Sequence, residues 1–151
     1  MLDIEEFKKK LDRKSRLLGI DPGKKRIGIA ISDENKIVAT PYTTLVKNDY
    51  SNFLTETKKI IDENNIKGIV IGNPLNMDGS PSPSSQSAKD LAINLSKNIS
   101  IPITLWDERL SSEGSFKLMG SLDVNSSKKR ETLDKNAATF ILQGFIDYIN
   151  K

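Results

Sequence analysis

At 151 residues the chain is long enough for one domain with a real core and too short for two of ordinary size. Hydrophobic residues make up 36% and charged residues 28%, which suits a soluble globular protein, and no apolar run approaches the length of a membrane span. With a net charge of only +3 and neither cysteine nor histidine, disulfides, zinc sites, a cysteine nucleophile and a Ser-His-Asp triad are excluded, so any catalysis runs on carboxylates, lysine, arginine, hydroxyls or a hard metal ion held by oxygen.

Residues 1–15 read as a polar helical extension that docks through Leu2, Ile4, Phe7 and Leu11. Its charged start lacks the apolar stretch of a signal peptide, so a cytoplasmic location is expected. From Arg16 the pattern changes to short β-type runs: "RLLGI", a turn at "DPGKKR", then "IGIAISD" and "NKIVATP". Ile27, Ile29 and Ile31 share one face by period two, while Gly28, Ala30 and Ser32 leave the other face open to close packing. Three strands joined by short turns predict an antiparallel meander. A helix follows over about 50–64, and "KGIVIGNP" is a continuous apolar run, as expected of a central parallel strand covered on both faces. "NMDGSPSPSSQS" is too rich in breakers to be regular. A second helix is expected over 85–98, a strand at "IPITLWDE", a third helix over 111–119 and a last one over 133–149. There are neither repeats nor an interdomain linker, so 1–151 is expected to form a single domain.

Acids sit at three places where acids are out of place. Asp21 ends the first apolar strand, and Asp107 and Glu108 end the last one, just before a helix start. Taken alone, Asp21 could open an ordinary turn. In α/β sheets, however, ligands bind beyond the carboxyl ends of the strands. Ser111 or Ser112 suits the cap of the helix that follows, with Glu113 in its first turn. Asp134 is followed at offsets 4, 7 and 11 by Ala138, Ile141 and Phe145, which places it on or beside the buried stripe of the last helix. It could equally be a helix-start acid with Thr132 as cap. One arrangement uses all three positions: if the two strands are central and adjacent and the last helix packs across them, the carboxylates converge, and only a divalent cation relieves their repulsion. Mg²⁺ takes oxygen ligands, and metal ions of this kind activate water against a phosphodiester. Two "KKR" runs, Lys24–Arg26 and Lys128–Arg130, lie near these acids and would hold a polyanion, although each could also be a solvated loop.

"LLGIDPGKKRIGIAISD", "VIGNPLNMDGS", "WDERLSS" and "LDKNAATFILQGFIDYI" resemble, in order and spacing, the bacterial YqgF family of Holliday-junction-resolvase-like proteins, also described as pre-16S rRNA processing nucleases. The resemblance covers about residues 16–150. It implies an RNase H-like fold of the α/β class: a five-stranded mixed sheet, three strands antiparallel and then two parallel, flanked by helices. It further implies catalytic, metal-binding acids at Asp21, Glu108 and Asp134, with Asp107 a weaker candidate. Arg109 would contact phosphate or order the site. Gly23 and Gly28 would allow close backbone approach, and Asn76 and Gly79 would shape the loop after the fourth strand. Related resolvases carry another acid three residues after the helix Asp, where this chain has Ala137; one or two ions of Mg²⁺ or Mn²⁺ are therefore both compatible with it. The implied activity is phosphodiester hydrolysis in 5′-end maturation of 16S rRNA precursors, with an RNA partner favoured over branched DNA, no membrane partner, and a monomer or homodimer. A Holliday-junction resolvase and a non-catalytic nucleic-acid-binding module are the alternatives. "GIDPG" also resembles the phosphate loop of actin-like ATPases and sugar kinases, but those need two such domains to close around a nucleotide.

Overall fold

The computed structural model describes residues 1–23, 25–47, 49–76, 78–110 and 129–151, the last segment with its side chains from residue 136 onward. The elements run α1 (Ile4–Lys10), β1 (Arg16–Pro22), β2 (Arg26–Ser32), β3 (Ala39–Val46), α2 (Tyr50–Asn64), β4 (Ile66–Asn73), α3 (Pro83–Asn98), β5 (Ile103–Asp107), a 3₁₀ turn (Glu108–Leu110) and α4 (Lys129–Ile149). Among the described residues the strands form one five-stranded sheet in the order β3-β2-β1-β4-β5. β1, β2 and β3 pair antiparallel, and β4 lies parallel to both β1 and β5. This is the expected mixed sheet. The helix expected over 111–119, with its caps at Ser111 or Ser112 and Glu113, lies outside the described residues.

The alternation of side chains divides the core in two. Ile27 and Ile29 join Leu18, Ile20, Ile69 and Ile71 under α2 and α3, while Leu17, Ala30, Val70 and Trp106 pack under α4 with Ala138, Ile141, Leu142 and Phe145. The small-residue face is thus the one on which α4 lies. A Cβ at Gly19 would stand 2.7 Å from Leu142 Cβ and 3.1 Å from the Ala138 carbonyl oxygen, so only glycine lets the helix backbone come this close. α1 docks as expected, its fully buried Phe7 meeting Phe145 edge-on with ring centres 5.5 Å apart.

Two element boundaries differ from the sequence expectation. β3 begins at Ala39, late in "NKIVATP", and runs on to Val46, because Asp33 Oδ1 accepts from the backbone N–H groups of Ile37 (2.7 Å) and Val38 (2.9 Å) and Lys36 turns left-handed at φ 55°. Those bonds divert the amides a strand would use, leaving Ile37 and Val38 exposed. α3 begins inside the Ser/Pro stretch: Ser82 caps it, its hydroxyl accepting from Ser85 N at 3.1 Å, and Pro83 takes the first helical position, where no N–H is needed. Among the described residues no helix is long and apolar enough to cross a membrane.

Candidate active site

Asp21 lies one residue from the end of β1, half-buried, and pairs across the ladder with Gly28. It stands two residues beyond Gly19, so its side chain leaves the sheet on the face covered by α4. Glu108 begins the 3₁₀ turn after β5, two residues beyond Trp106, which belongs to the cluster under α4. The expectation that the two acid-bearing strands are adjacent is not met: β4 runs between β1 and β5. What bridges the gap is a missing side chain. A Cβ built on Gly72 of β4 would stand 3.0 Å from Glu108 Oε1 and 2.4 Å from Ile141 Cδ1. The Glu108 carboxylate therefore leans inward over β4 and occupies space that any other residue at 72 would fill. The β1–β4 register pairs Ile20 with Ile71, which puts Asp21 and Gly72 next to each other at the same level. Neighbouring strands lie about 4.8 Å apart, so Glu108 over Gly72 is brought to the neighbourhood of Asp21 across that single step.

Half-buried under α4, Glu108 has its carboxyl pushed up from the ordinary 4.5, first by burial and then by the charge of Asp107. Asp107 has a different task. Burial works to raise its carboxyl, but hydrogen bonds and charge from Arg109 outweigh this and hold it below 3.8. Arg109 grips it as a fork: Nη2 donates to Oδ2 at 2.7 Å and Nε to Oδ1 at 3.0 Å, and the Arg109 backbone N–H donates to Oδ1 at 3.0 Å. The same guanidinium lies against Gly79, whose Cβ would stand 3.2 Å from Nη2 and whose φ of +90° suits glycine. Asn76 closes that loop by donating to Ser80 Oγ at 3.0 Å and to the Pro81 carbonyl at 3.2 Å. Glu108 thus sits between two residues locked to one another and to the loop after β4.

Asp134 falls in α4, one helical turn before Ala138, whose carbonyl meets Gly19. With α4 starting at Lys129, Asp134 is in the second turn and Thr132 is not the cap, so the helix-start explanation weakens. Its side chain, like those of Lys129 and Arg130, is outside what the structure describes, as are Lys24 and Lys128 entirely. Lys129 and Arg130 open the helix rather than forming a loop. Lys25 is exposed, and Arg26 opens β2. Among the described residues no group of three carboxylates is assembled; Glu108 lies over Gly72, and Asp21 stands on the neighbouring strand at the level of Gly72. Sequence reasoning overlooked Gly72, whose signal was a glycine at the end of the apolar run "GIVIG", where a strand has no need of one.

The RuvX family model, described as Holliday junction resolvase, matches residues 15–148. The sequence is 53% identical, over 99% of both chains, to a Pelagibacter ubique protein named "Putative pre-16S rRNA nuclease". A Rhodobacter capsulatus protein of the same name is 41% identical over 95% of this chain and 91% of its own. Among solved structures, T. thermophilus RuvC in complex with a Holliday junction substrate aligns with a TM-score of 0.55 at 10% identity, covering 91% of this chain and 97% of that one. At that identity the likeness concerns the fold alone, the RNase H-like sheet. A family match over nearly the whole chain, together with relatives this similar, places the protein: it belongs to the RuvX family, also called YqgF.

Proposed function

We propose that this protein is a metal-dependent nuclease that hydrolyses phosphodiester bonds in 5′-end maturation of the 16S rRNA precursor, in the cytoplasm. The observation that carries the reading is the Glu108 carboxylate seated over side-chain-free Gly72, one strand from Asp21. A carboxylate turned inward against its own solvation takes up a proton or a cation, and a second acid on the neighbouring strand favours the cation. The donors are hard oxygens, and Gly72 leaves the Glu108 carboxylate the space it occupies, so the residues fit Mg²⁺ or Mn²⁺. Asp21, Glu108 and Asp134 would hold it, a set sufficient for one ion. Bound there, the ion neutralises the cluster and makes water more acidic. In the hydrolysis a water oxygen bonds to phosphorus, the bond from phosphorus to one ester oxygen breaks, and a site carboxylate takes the water's proton and passes it to the leaving oxygen. Lys24, Lys25, Arg26, Lys128, Lys129 and Arg130 would hold neighbouring phosphates, and the Asp107–Arg109 pair would keep Glu108 in place.

RNA is favoured by the names of the relatives at 53% and 41% identity. The family description favours a second reading, resolution of a four-way DNA junction, which would require a symmetric dimer to cut two strands, whereas an RNA-end processor can act as a monomer or a homodimer. The test is cleavage of a 16S precursor fragment and of a four-way junction, side by side, with Mg²⁺, Mn²⁺ or chelator. Metal-dependent cutting of the RNA alone supports the reading; cutting of the junction alone replaces it with the second; binding without cutting of either leaves a nucleic-acid-binding module.

A further inference from the structure

The nine residues 8–16, "KKKLDRKSR", hold six cations and one acid in a chain whose net charge is only +3. All but the last two precede residues 15–148, which the family model matches. Lys8, Lys9, Lys10, Arg13 and Lys14 are exposed, and Arg16 is half-buried. Basic residues in a last helical turn offset the helix dipole, which accounts for Lys8, Lys9 and Lys10 but not for Arg13, Lys14 or Arg16. Lys9 stands near Asp3, the cap of α1; among the described residues the other five side chains form no ion pair and no hydrogen bond. The turn that carries them is held in place. Lys36 Nζ donates to the carbonyls of Asp12 at 2.9 Å and Arg13 at 3.2 Å, and Ser15 N donates to the Glu34 carbonyl at 3.0 Å. The charge of Asp12 is met by the same Lys36. What the turn offers to water is chiefly positive charge.

Phe7 seats α1 in the cluster under α4, so these cations lie toward the face of the sheet that carries Asp21 and Glu108, but at its other end. Arg16 and Asp21 are five residues apart on β1, about 17 Å at about 3.3 Å per residue. The helix gives the same span: Phe145, which Phe7 meets, is eleven residues beyond Asp134, about 17 Å along α4. We propose that residues 8–16 form a second RNA-binding surface, which takes the phosphate backbone of a duplex arm flanking the cleaved bond. The proposal rests on the nuclease reading for the identity of the polymer. A duplex advances by about 3.4 Å per base pair, so a surface about 17 Å from the carboxylates meets the arm about five pairs from the cut. Proteins that hold single strands stack the bases on exposed aromatic rings, and this stretch offers none; its neighbour Phe7 is fully buried. Lipid binding needs an apolar face free to enter the bilayer, whereas Ile4, Phe7 and Leu11 of this segment are packed in the core.

The test compares two RNAs in chelator, read by anisotropy at several salt concentrations: a 16S precursor strand with a hairpin beside the mature 5′ end, and the same strand without the hairpin. The parent is expected to bind the hairpin RNA about tenfold more tightly, with a salt slope steeper by about 2–3. Lys10→Ala, Arg13→Ala and Lys14→Ala combined should abolish that advantage and bring the slope down to that of the bare strand. Lys58→Ala, Lys59→Ala and Lys97→Ala combined remove the same charge from α2 and α3, on the opposite face, and should keep the advantage. Both variants should melt as the parent does and still bind the bare strand, since every replaced side chain is exposed. If the Lys10, Arg13 and Lys14 variant keeps the parent's preference and slope, or the α2 and α3 variant loses as much, these cations are merely part of the net charge and the inference fails. If it loses binding to phosphatidylserine vesicles while RNA binding is untouched, the surface serves a membrane and the inference likewise fails. If the parent cuts neither RNA in Mg²⁺ yet prefers the hairpin through these residues, the nuclease reading fails and the RNA surface stands.

Discussion

Gly72→Ala tests whether the position of Glu108 governs the site. The added methyl would meet Ile141 Cδ1 at 2.4 Å and Glu108 Oε1 at 3.0 Å. Ordinary contacts between carbons are about 3.5–4.0 Å, so the isoleucine tip must retreat by about 1 Å or more. Because that tip is the end of a flexible side chain, the overpacking should cost about 1–2 kcal/mol. At about 2–4 °C per kcal/mol for a chain of this size, melting should fall by about 2–8 °C. The carboxylate must also give by a few tenths of an ångström, away from β4 and from Asp21. Displacements of about 1 Å in a reacting group cost roughly a hundredfold, so cleavage should fall about tenfold. Packing and positioning can be separated by adding Ile141→Val, which removes Cδ1 and leaves the Glu108 contact in place. The double variant should regain part of the melting temperature while cleavage stays about tenfold down. Parental cleavage in Gly72→Ala, or restored cleavage in the double variant, would refute the claim that Glu108 acts from this position.

Other expectations follow from the same geometry. Because burial raises the Glu108 carboxyl above 4.5, the protonated form favours folding below pH 4.5, and that advantage is lost as pH rises through the folded-state value. Without metal, Glu108→Gln should therefore melt above the parent at pH 7, with the difference vanishing below about pH 4.5; equal melting across the range would contradict the buried placement. Arg109→Ala removes a pair that lies at the surface, so stability should change little. Cleavage should nevertheless fall, because Glu108 loses its anchoring neighbours, and unchanged kcat would sink that role. Replacing Lys128, Lys129 and Arg130 together with alanine should lower the salt dependence of RNA binding measured in chelator; an unchanged slope would mean that these charges are merely solvated.

Much of the sheet was legible because its two faces have different chemistry. Isoleucines at 27, 29 and 31 opposite Gly28, Ala30 and Ser32 predict both the strand and close packing on the small-residue face, and α4 lies on that face. The unbroken apolar run of β4 predicts a strand covered on both sides, as it is. The start of β3 was not legible, since Ile37 and Val38 look like strand residues until the Asp33 side chain is seen taking their amides. The strand ends carrying Asp21 and Glu108 could be picked out as odd, but their relation could not. Parallel crossovers leave strand order open, and Gly72 acquires meaning only once β4 is known to lie between the acids. The division of labour in "DER" rested on the resemblance, which put Glu108 ahead of Asp107; the residues alone show two acids and an arginine, and the fork geometry adds that Asp107 is tied to Arg109.

The measurement that bears most directly on the metal site is the effect of Mg²⁺ on Asp21→Asn, followed by thermal melting and by cleavage of the precursor RNA. A ligand present at a hundred times its dissociation constant stabilises the folded state by about 2.7 kcal/mol, or roughly 5–11 °C for a chain of this size. The parent should show that rise and cut the RNA. Asp21→Asn should melt at least as high as the parent without metal, having lost a repelling charge, gain little from Mg²⁺, and fail to cut. A variant that melts lower without metal, responds to Mg²⁺ as the parent does and still cleaves would make Asp21 an ordinary turn residue and remove the metal site from this account.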